Sequence, residues 1–413
     1  MELNFIADSP YQAAIVLLII WGSIFGIAKV LKLERFGFTL KPYSLTYKNY
    51  KVQSVLTRLL GRTRRGIRIF ADVSVIAGFL MMGYAFWFLL ENMANFFVEP
   101  TKFAELTVLI PGVTMTSWPS IVSFLLAIPI VLIVHEGAHG IVATLEKIKI
   151  KTGGFAVFIA LFAGFVEPDE EEFDNAKKVS KLRVIGAGAT ANVIFAFVLG
   201  AILITNPVFA MVFTSVPGGE PLLGLFYESP EGVMVVSVIE GGGAEQAGIH
   251  ANDIITNVDS VGIISFIDLQ KVDLKPGQTV DVTILRDGQE ITFPVSIMAS
   301  PDDPEQGLIG IMRDTGASFK PIYNYIEWDL NDKTTSYISW YLLWLWIISF
   351  FIGIINMLPL PILDGGKFIH TIIDKKISEK SVNGVMIGVY AVTFIVFAGN
   401  IALTYMKSGW FTI

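Results

Sequence analysis

The chain has 413 residues, of which 53% are hydrophobic and only 16% charged, with a formal net charge of −7 and a mean hydropathy of +0.61. An average soluble domain carries about 25% charged residues, so this composition excludes one and puts much of the chain in a bilayer. There is no cysteine, which excludes disulfides and thiolate metal sites and leaves His, Asp and Glu as the available metal ligands.

Uncharged runs cover Tyr11 to Ala28, Val73 to Leu90, Leu106 to Val134, Val184 to Gly219, Thr334 to Leu363 and Ser381 to Tyr405. Each is near or above the ~18 apolar residues that a span requires, although some include polar loop sequence. The reading is a polytopic α-helical membrane protein of about six spans. No basic region precedes the first run, so it does not read as a signal peptide. Residues 29–68 carry eleven Lys and Arg against one acid, Glu34, and that excess marks the stretch as cytoplasmic. It reads as an ordinary cytoplasmic loop, with contact to anionic lipid as the alternative. Threading the spans from there places both termini and residues 207–336 outside. Those residues hold six Lys and Arg beside nineteen acids, so the net charge belongs to an outward domain and gives nucleic acid binding no support.

The third run continues into "IVHEGAHGIV", Ile133 to Val142. On a helix His135 and His139 lie one turn apart on one face, so two imidazoles can share one ion. Glu136 stands beside them, placed to take a proton from bound water. A polar patch packing helices together is the plainer reading, but an ionisable residue inside a span is costly and marks function by default. Thr152 to Val166 is too short to span and reads as re-entrant or interfacial.

From Glu220 to Ser300 short alternating strands replace the spans. "TVDVTILRDGQEITFPVSI" puts Val280, Val282 and Ile284 on one strand face and Ile291, Phe293, Val295 and Ile297 on the next, around an Arg-Asp-Gly-Gln turn. Pro294 cannot donate a ladder bond, which predicts an edge strand. Ala244 to Ile249, followed by Asp253-Ile254-Ile255 and Val258-Asp259, resembles a PDZ domain of the kind attached to bacterial-type proteases. Such a domain implies binding of an extended peptide or chain end by strand addition, against the plainer reading of a β-rich spacer. Residues 301–333 read as a linker back to the membrane.

A catalytic zinc usually has three protein ligands and one open position. The four histidines are His135, His139, His250 and His370, and His250 falls in the outer domain. The third ligand should therefore be an acid within the membrane. Asp364 in "NMLPLPILDGG" stands out, because Pro359 and Pro361 break the helix and let a side chain turn inward. An aspartate capping a span is the alternative. His135 lies about ten residues from the cytoplasmic end of its span, roughly 15 Å deep at 1.5 Å per residue, so both groups belong to the inner half of the bilayer.

Together "HEGAHG", "GGFAVFIALFAGFVEP", "FDNAKKVSKLRVIGAGATANVIFA", the PDZ-like insert and "NMLPLPILDGG" resemble the site-2 protease family of intramembrane metalloproteases over roughly residues 120–405. The resemblance implies Zn2+ held by His135, His139 and Asp364, with Glu136 as general base. It places Asn192 and Asn356 near substrate or the reaction intermediate, with interhelical hydrogen bonding as their plainer role. It also implies that Gly153–Glu167 is a membrane-associated β-like loop holding substrate extended. Ala189 replaces the proline usual in the family's motif before Asn192.

The expected organisation is an N-terminal membrane extension over 1–100, a first core half over 101–206, a PDZ domain over 220–300, a linker over 301–336 and a second core half over 337–413. The expected function is zinc-dependent hydrolysis within single-span membrane proteins, in a cascade where another protease trims the outer domain first. The alternatives are a non-catalytic PDZ adaptor in the membrane and a metal transporter. Transport would scatter ionisable groups along successive spans rather than converge them on one site.

Overall fold

The computed structural model describes residues 10–408, apart from 112–113, 116–117, 160, 216–218, 229–231, 240, 252, 265–267, 270–271, 287, 301–306, 314–319, 329–332 and 375–377. It divides into two compact units, residues 1–200 with 330–413 and residues 201–329.

The first unit begins with α1 (Pro10–Val30), followed by a hairpin of β1 (Phe38–Lys41) and β2 (Ser44–Asn49). The long helix α2 (Val52–Val98) bends at Thr63, whose φ of −132° leaves the helical region. Thr63 Oγ1 donates to the Leu59 carbonyl, a local bond that competes with the helical ladder. Next come α3 (Trp118–Leu145), β3 (Ile150–Phe158), β4 (Leu161–Pro168), α4 (Glu170–Asn175) and α5 (Lys178–Leu203).

The basic stretch is more than a loop. Its strand β2 pairs antiparallel with β3, giving a four-stranded sheet in the order β1-β2-β3-β4. Phe38, Tyr47 and Phe155 cluster on it, with Tyr47 and Phe155 ring centroids 5.7 Å apart. Gln53 Oε1 accepts from the Ile150 amide at 2.7 Å and so satisfies the start of β3. Trp21 of α1 donates through Nε1 to the Pro42 carbonyl in the hairpin turn. The re-entrant stretch expected over 152–166 is thus the β3–β4 hairpin, with β4 at one edge of the sheet.

The second unit holds α6 (Ala210–Ser215), α7 (Glu220–Leu223), β5 (Val233–Val238), α8 (Gly243–Ala247), β6 (Ile254–Val258), β7 (Val261–Gly262), β8 (Thr279–Arg286), β9 (Gln289–Ser296), β10 (Met298–Ala299), β11 (Gly307–Leu308) and β12 (Ile311–Arg313). Its main sheet runs β12-β5-β6-β8-β9. Val280, Val282, Ile284, Val295 and Ile297 are buried in its core, on the faces expected. Strand β9 is an edge, which accommodates Pro294. The linker expected over 301–336 is corrected in part: β12 completes the sheet by pairing with β5. Its Ile311 packs on the apolar core, and three residues with so little pattern carry no strand signature by themselves.

Arg286 grips Asp253 through Nε at 2.7 Å and Nη2 at 2.6 Å, while the His250 amide also donates to that carboxylate. Burial works to raise the Asp253 pKa, but these donors outweigh it and hold the carboxyl below its ordinary value.

The chain then returns as α9 (Lys333–Ile355), a short helix α10 (Asp364–Ile373) and α11 (Glu379–Ser408). Among the described residues five helices are long and apolar enough to cross a membrane: Thr63–Val98, Pro119–Leu145, Lys178–Leu203, Tyr337–Ile355 and Glu379–Lys407. A sixth apolar stretch, Leu17–Val30 in α1, is shorter. Large apolar side chains such as Leu80, Ile133, Phe197 and Ile387 are exposed on these helices, as lipid-facing positions should be.

Two polar clusters lock the helices. Glu146, the residue after α3, accepts from Arg68 of α2 at 2.8 Å and from Ser180 and Arg183 of α5 at 2.5 and 3.2 Å. Far along α2, the buried Asn92 donates to Asn400 of α11 at 3.0 Å and exchanges bonds with the Ala104 backbone. In an apolar surround such paired polar groups set helix register, because sliding would leave them unsatisfied.

Candidate metal centre

Helix α3 carries His135 and His139 one turn apart, with their Nε2 atoms separated by 3.2 Å. Asp364 Oδ2 lies 3.1 Å from each of them. The sequence placed this carboxylate 225 residues from His139, and the fold brings the two together. Among the described residues these three form the group able to hold a metal ion.

The broken segment after α9 aims Asp364. Met357 and Leu358 are buried, and the Gly365 amide donates to the Asn356 carbonyl at 2.8 Å. That bond folds the chain back so that α10 starts at Asp364, where the positive end of the helix dipole favours a carboxylate. The glycines that follow are a packing requirement. A Cβ at Gly365 would meet the Met357 carbonyl oxygen at 2.1 Å, and one at Gly366 the Leu360 oxygen at 2.2 Å. Together the two prolines and two glycines make the turn that delivers the carboxylate.

Helix α5 supplies the other side through residues four apart. The Val184 carbonyl lies 2.7 Å from His139 Nδ1. A carbonyl only accepts, so Nδ1 carries the hydrogen and Nε2 presents a lone pair. Asn192 reaches His135 Nδ1 at 3.1 Å. Between them Gly188 leaves open the space in front of both imidazoles, since a Cβ there would lie 2.2 Å from His139 Nε2 and 2.7 Å from His135 Nε2.

The donors fit a divalent cation. Two imidazole nitrogens and a carboxylate oxygen converge at 3.1–3.2 Å, a nitrogen and oxygen donor set of the kind that holds a divalent cation. Tetrahedral ligands at Zn–N and Zn–O distances near 2.05 Å stand about 3.3 Å apart, close to the spacing found. The gap preserved by Gly188 leaves such an ion room.

Glu136 lies on α3 beside strand β4, where a Cβ on Gly164 would come within 2.8 Å of its Cγ. Asn356 contributes its backbone carbonyl to the Asp364 turn, and Asn192 is fully buried against His135. His250 and His370 are both exposed, and neither belongs to the three-ligand group. Gly188, Val184 and Gly164 were missed in the sequence. The spacing of four through Val184, Gly188 and Asn192 was the available signal for Val184 and Gly188.

The model of a family described as peptidase family M50 matches residues 123–397. An uncharacterised protein of Methanocaldococcus jannaschii is 25% identical over 366 residues, covering 87% of this chain and 84% of that protein. The regulator of sigma-W protease RasP of Bacillus subtilis is 23% identical over 266 residues, covering 54% of this chain and 58% of RasP, so the chain spans little more than half of that relative. Among solved structures, the PDZ domain of an SdrC-like protein from Listeria monocytogenes matches 21% of this chain and 90% of that domain, at 24% identity and a TM-score of 0.19.

Proposed function

The chain belongs to peptidase family M50, and from that premise we propose that it is an intramembrane zinc metalloendopeptidase of the site-2 protease type. The observation that carries the reading is the convergence of His135 Nε2, His139 Nε2 and Asp364 Oδ2 within a helical membrane core. These three atoms would hold Zn2+, which when bound polarises a carbonyl and lowers the pKa of water to about 7.

The protein's own groups then divide the work. Val184 orients His139 so that its lone pair faces inward. Glu136, beside the ligands on α3, accepts the proton of the attacking water and can return it to the departing amide nitrogen. Strand β4 ends its sheet and passes Glu136 at Gly164, so a substrate held extended along β4 would expose its backbone to this base. The proposed substrates are single-span membrane proteins. Their helices close every amide internally, and cleavage requires an unwound segment together with water brought to that depth.

The inserted unit is read as a PDZ domain with an edge able to take a peptide or chain end. A role in regulated intramembrane proteolysis is proposed on the likeness to RasP. The charge distribution of the loops supports an extracytoplasmic placement for that unit and for both termini, with the metal centre in the cytoplasmic half of the bilayer. An adaptor without catalysis would have no use for three potential ligand atoms gathered at one point.

The test is Glu136→Gln in purified full-length protein. It keeps the side-chain volume but removes the proton acceptor, so zinc content should match wild type while cleavage of a single-span substrate falls by about 100-fold or more. Near-normal turnover by this variant refutes the assignment.

A further inference from the structure

We infer that Asn192 is a positioning residue of the metal centre, its amide oxygen receiving the Nδ1 hydrogen of His135 and so turning the Nε2 lone pair toward His139 and Asp364. The inference rests on the metal-centre reading and assigns Asn192 a role different from the substrate contact implied by resemblance.

Four observations carry it. The Asn192 side chain is fully buried, and its amide meets His135 Nδ1 at 3.1 Å. Its Oδ1 has no hydrogen-bond partner while Nδ2 faces the ring. A half-turn about the Cβ–Cγ–amide axis exchanges these atoms within the same volume. That exchange is required chemically, because His135 can offer Nε2 as a ligand only if its hydrogen sits on Nδ1.

Support from a third helix makes the position rigid. Ser349 of α9 donates to the Asn192 backbone carbonyl at 2.9 Å. One turn further along α9, Gly353 packs so close to Ala189 and Val193 that a Cβ would meet the Val193 side chain at 2.7 Å. The fourth observation is the parallel with His139, whose Nδ1 is already met by an obligate acceptor one helical face away, the Val184 carbonyl. Residues 184 and 192 of α5 thus serve the two imidazoles in the same way, with Gly188 between them. A side chain with no exposed surface, its amide set against a ligand ring, has no free face for substrate.

The experiment compares full-length wild type, Asn192→Leu and Asn192→Asp, purified in detergent. Zinc affinity is read by chelator competition, the visible spectrum of the Co2+-substituted protein is recorded, and KM and kcat are measured with one single-span substrate. Helicity and elution volume confirm folding. Leucine has similar size and no acceptor, and should weaken zinc binding by about 10–100-fold and shift the Co2+ bands. Aspartate keeps an acceptor oxygen at the same place and should retain zinc affinity, so it tests the role even if leucine disturbs packing. A substrate-contacting asparagine predicts the reverse: unchanged zinc affinity in both variants with a raised KM. That result overturns the inference. Wild-type protein that takes up no zinc would instead overturn the metal-centre reading beneath it.

Discussion

Replacing Gly188 by alanine adds one methyl group where α5 faces both imidazoles. In an open helical position that change stabilises by about 1 kcal/mol through helix propensity. At Gly188 the new Cβ would stand 2.2 Å from His139 Nε2 and 2.7 Å from His135 Nε2, whereas ordinary contact needs about 3.5 Å. The shortfall exceeds an ångström, and functional metal–ligand distances tolerate about 0.2 Å. The rings or the helix must therefore retreat several times further than coordination allows. Zinc affinity should fall by about 100-fold or more, equivalent to about 2.8 kcal/mol, while the fold is retained. Metal analysis after chelator competition, beside thermal unfolding, measures both effects. Gly83→Ala in α2 is the control, because a Cβ there meets nothing within 4 Å. If Gly188→Ala binds zinc like wild type, the ion does not occupy the space between the Nε2 atoms, and the geometry argued for the centre is wrong.

Asp364→Ala should abolish zinc retention and cleavage, whereas His370→Ala, at an exposed position six residues further on, should leave occupancy unchanged; metal analysis that tracks His370 would remove Asp364 from the ligand set. The Asp253–Arg286 pair should make the second unit acid-sensitive: the folded pKa lies below the unfolded value of about 3.9, so its contribution is complete above that value and is lost as pH falls through the folded pKa. Urea unfolding of the excised unit at pH 7 and pH 3 should show that loss, and Asp253→Asn should flatten the difference; an unchanged acid dependence would refute it. Arg286→Ala removes the charge partner of the Asp253 carboxylate and leaves it the His250 amide, and should cost about 2–3 kcal/mol at neutral pH in the same assay. If the bulk of the insert bars substrates whose outer domains are intact, replacing residues 228–313 by a flexible link should preserve cleavage of a pre-trimmed substrate and increase cleavage of an untrimmed one; loss of both in a folded, zinc-loaded protein would favour peptide capture at the edge of the insert.

Local chemistry made much of this protein legible in its sequence. His135 and His139 share a helix face because of the α-helical repeat, and an aspartate beyond two prolines at the end of an uncharged run has few other uses. The β8–β9 hairpin, its buried face and the edge placement of Pro294 follow from period-two patterning and proline's missing donor. Those signals are carried by neighbouring residues, so one chain suffices to read them. The tertiary structure decided what depends on distant partners. Residues 38–49 look like basic loop until β3, about a hundred residues away, supplies the ladder for β2. Residues 311–313 are too short to declare a strand, and become one against β5. Asn192 reads equally as helix glue or substrate contact until His135 Nδ1 is found beside it. Gly188 has no side chain to advertise a role, and its importance is the volume it leaves empty between two rings borne by another helix.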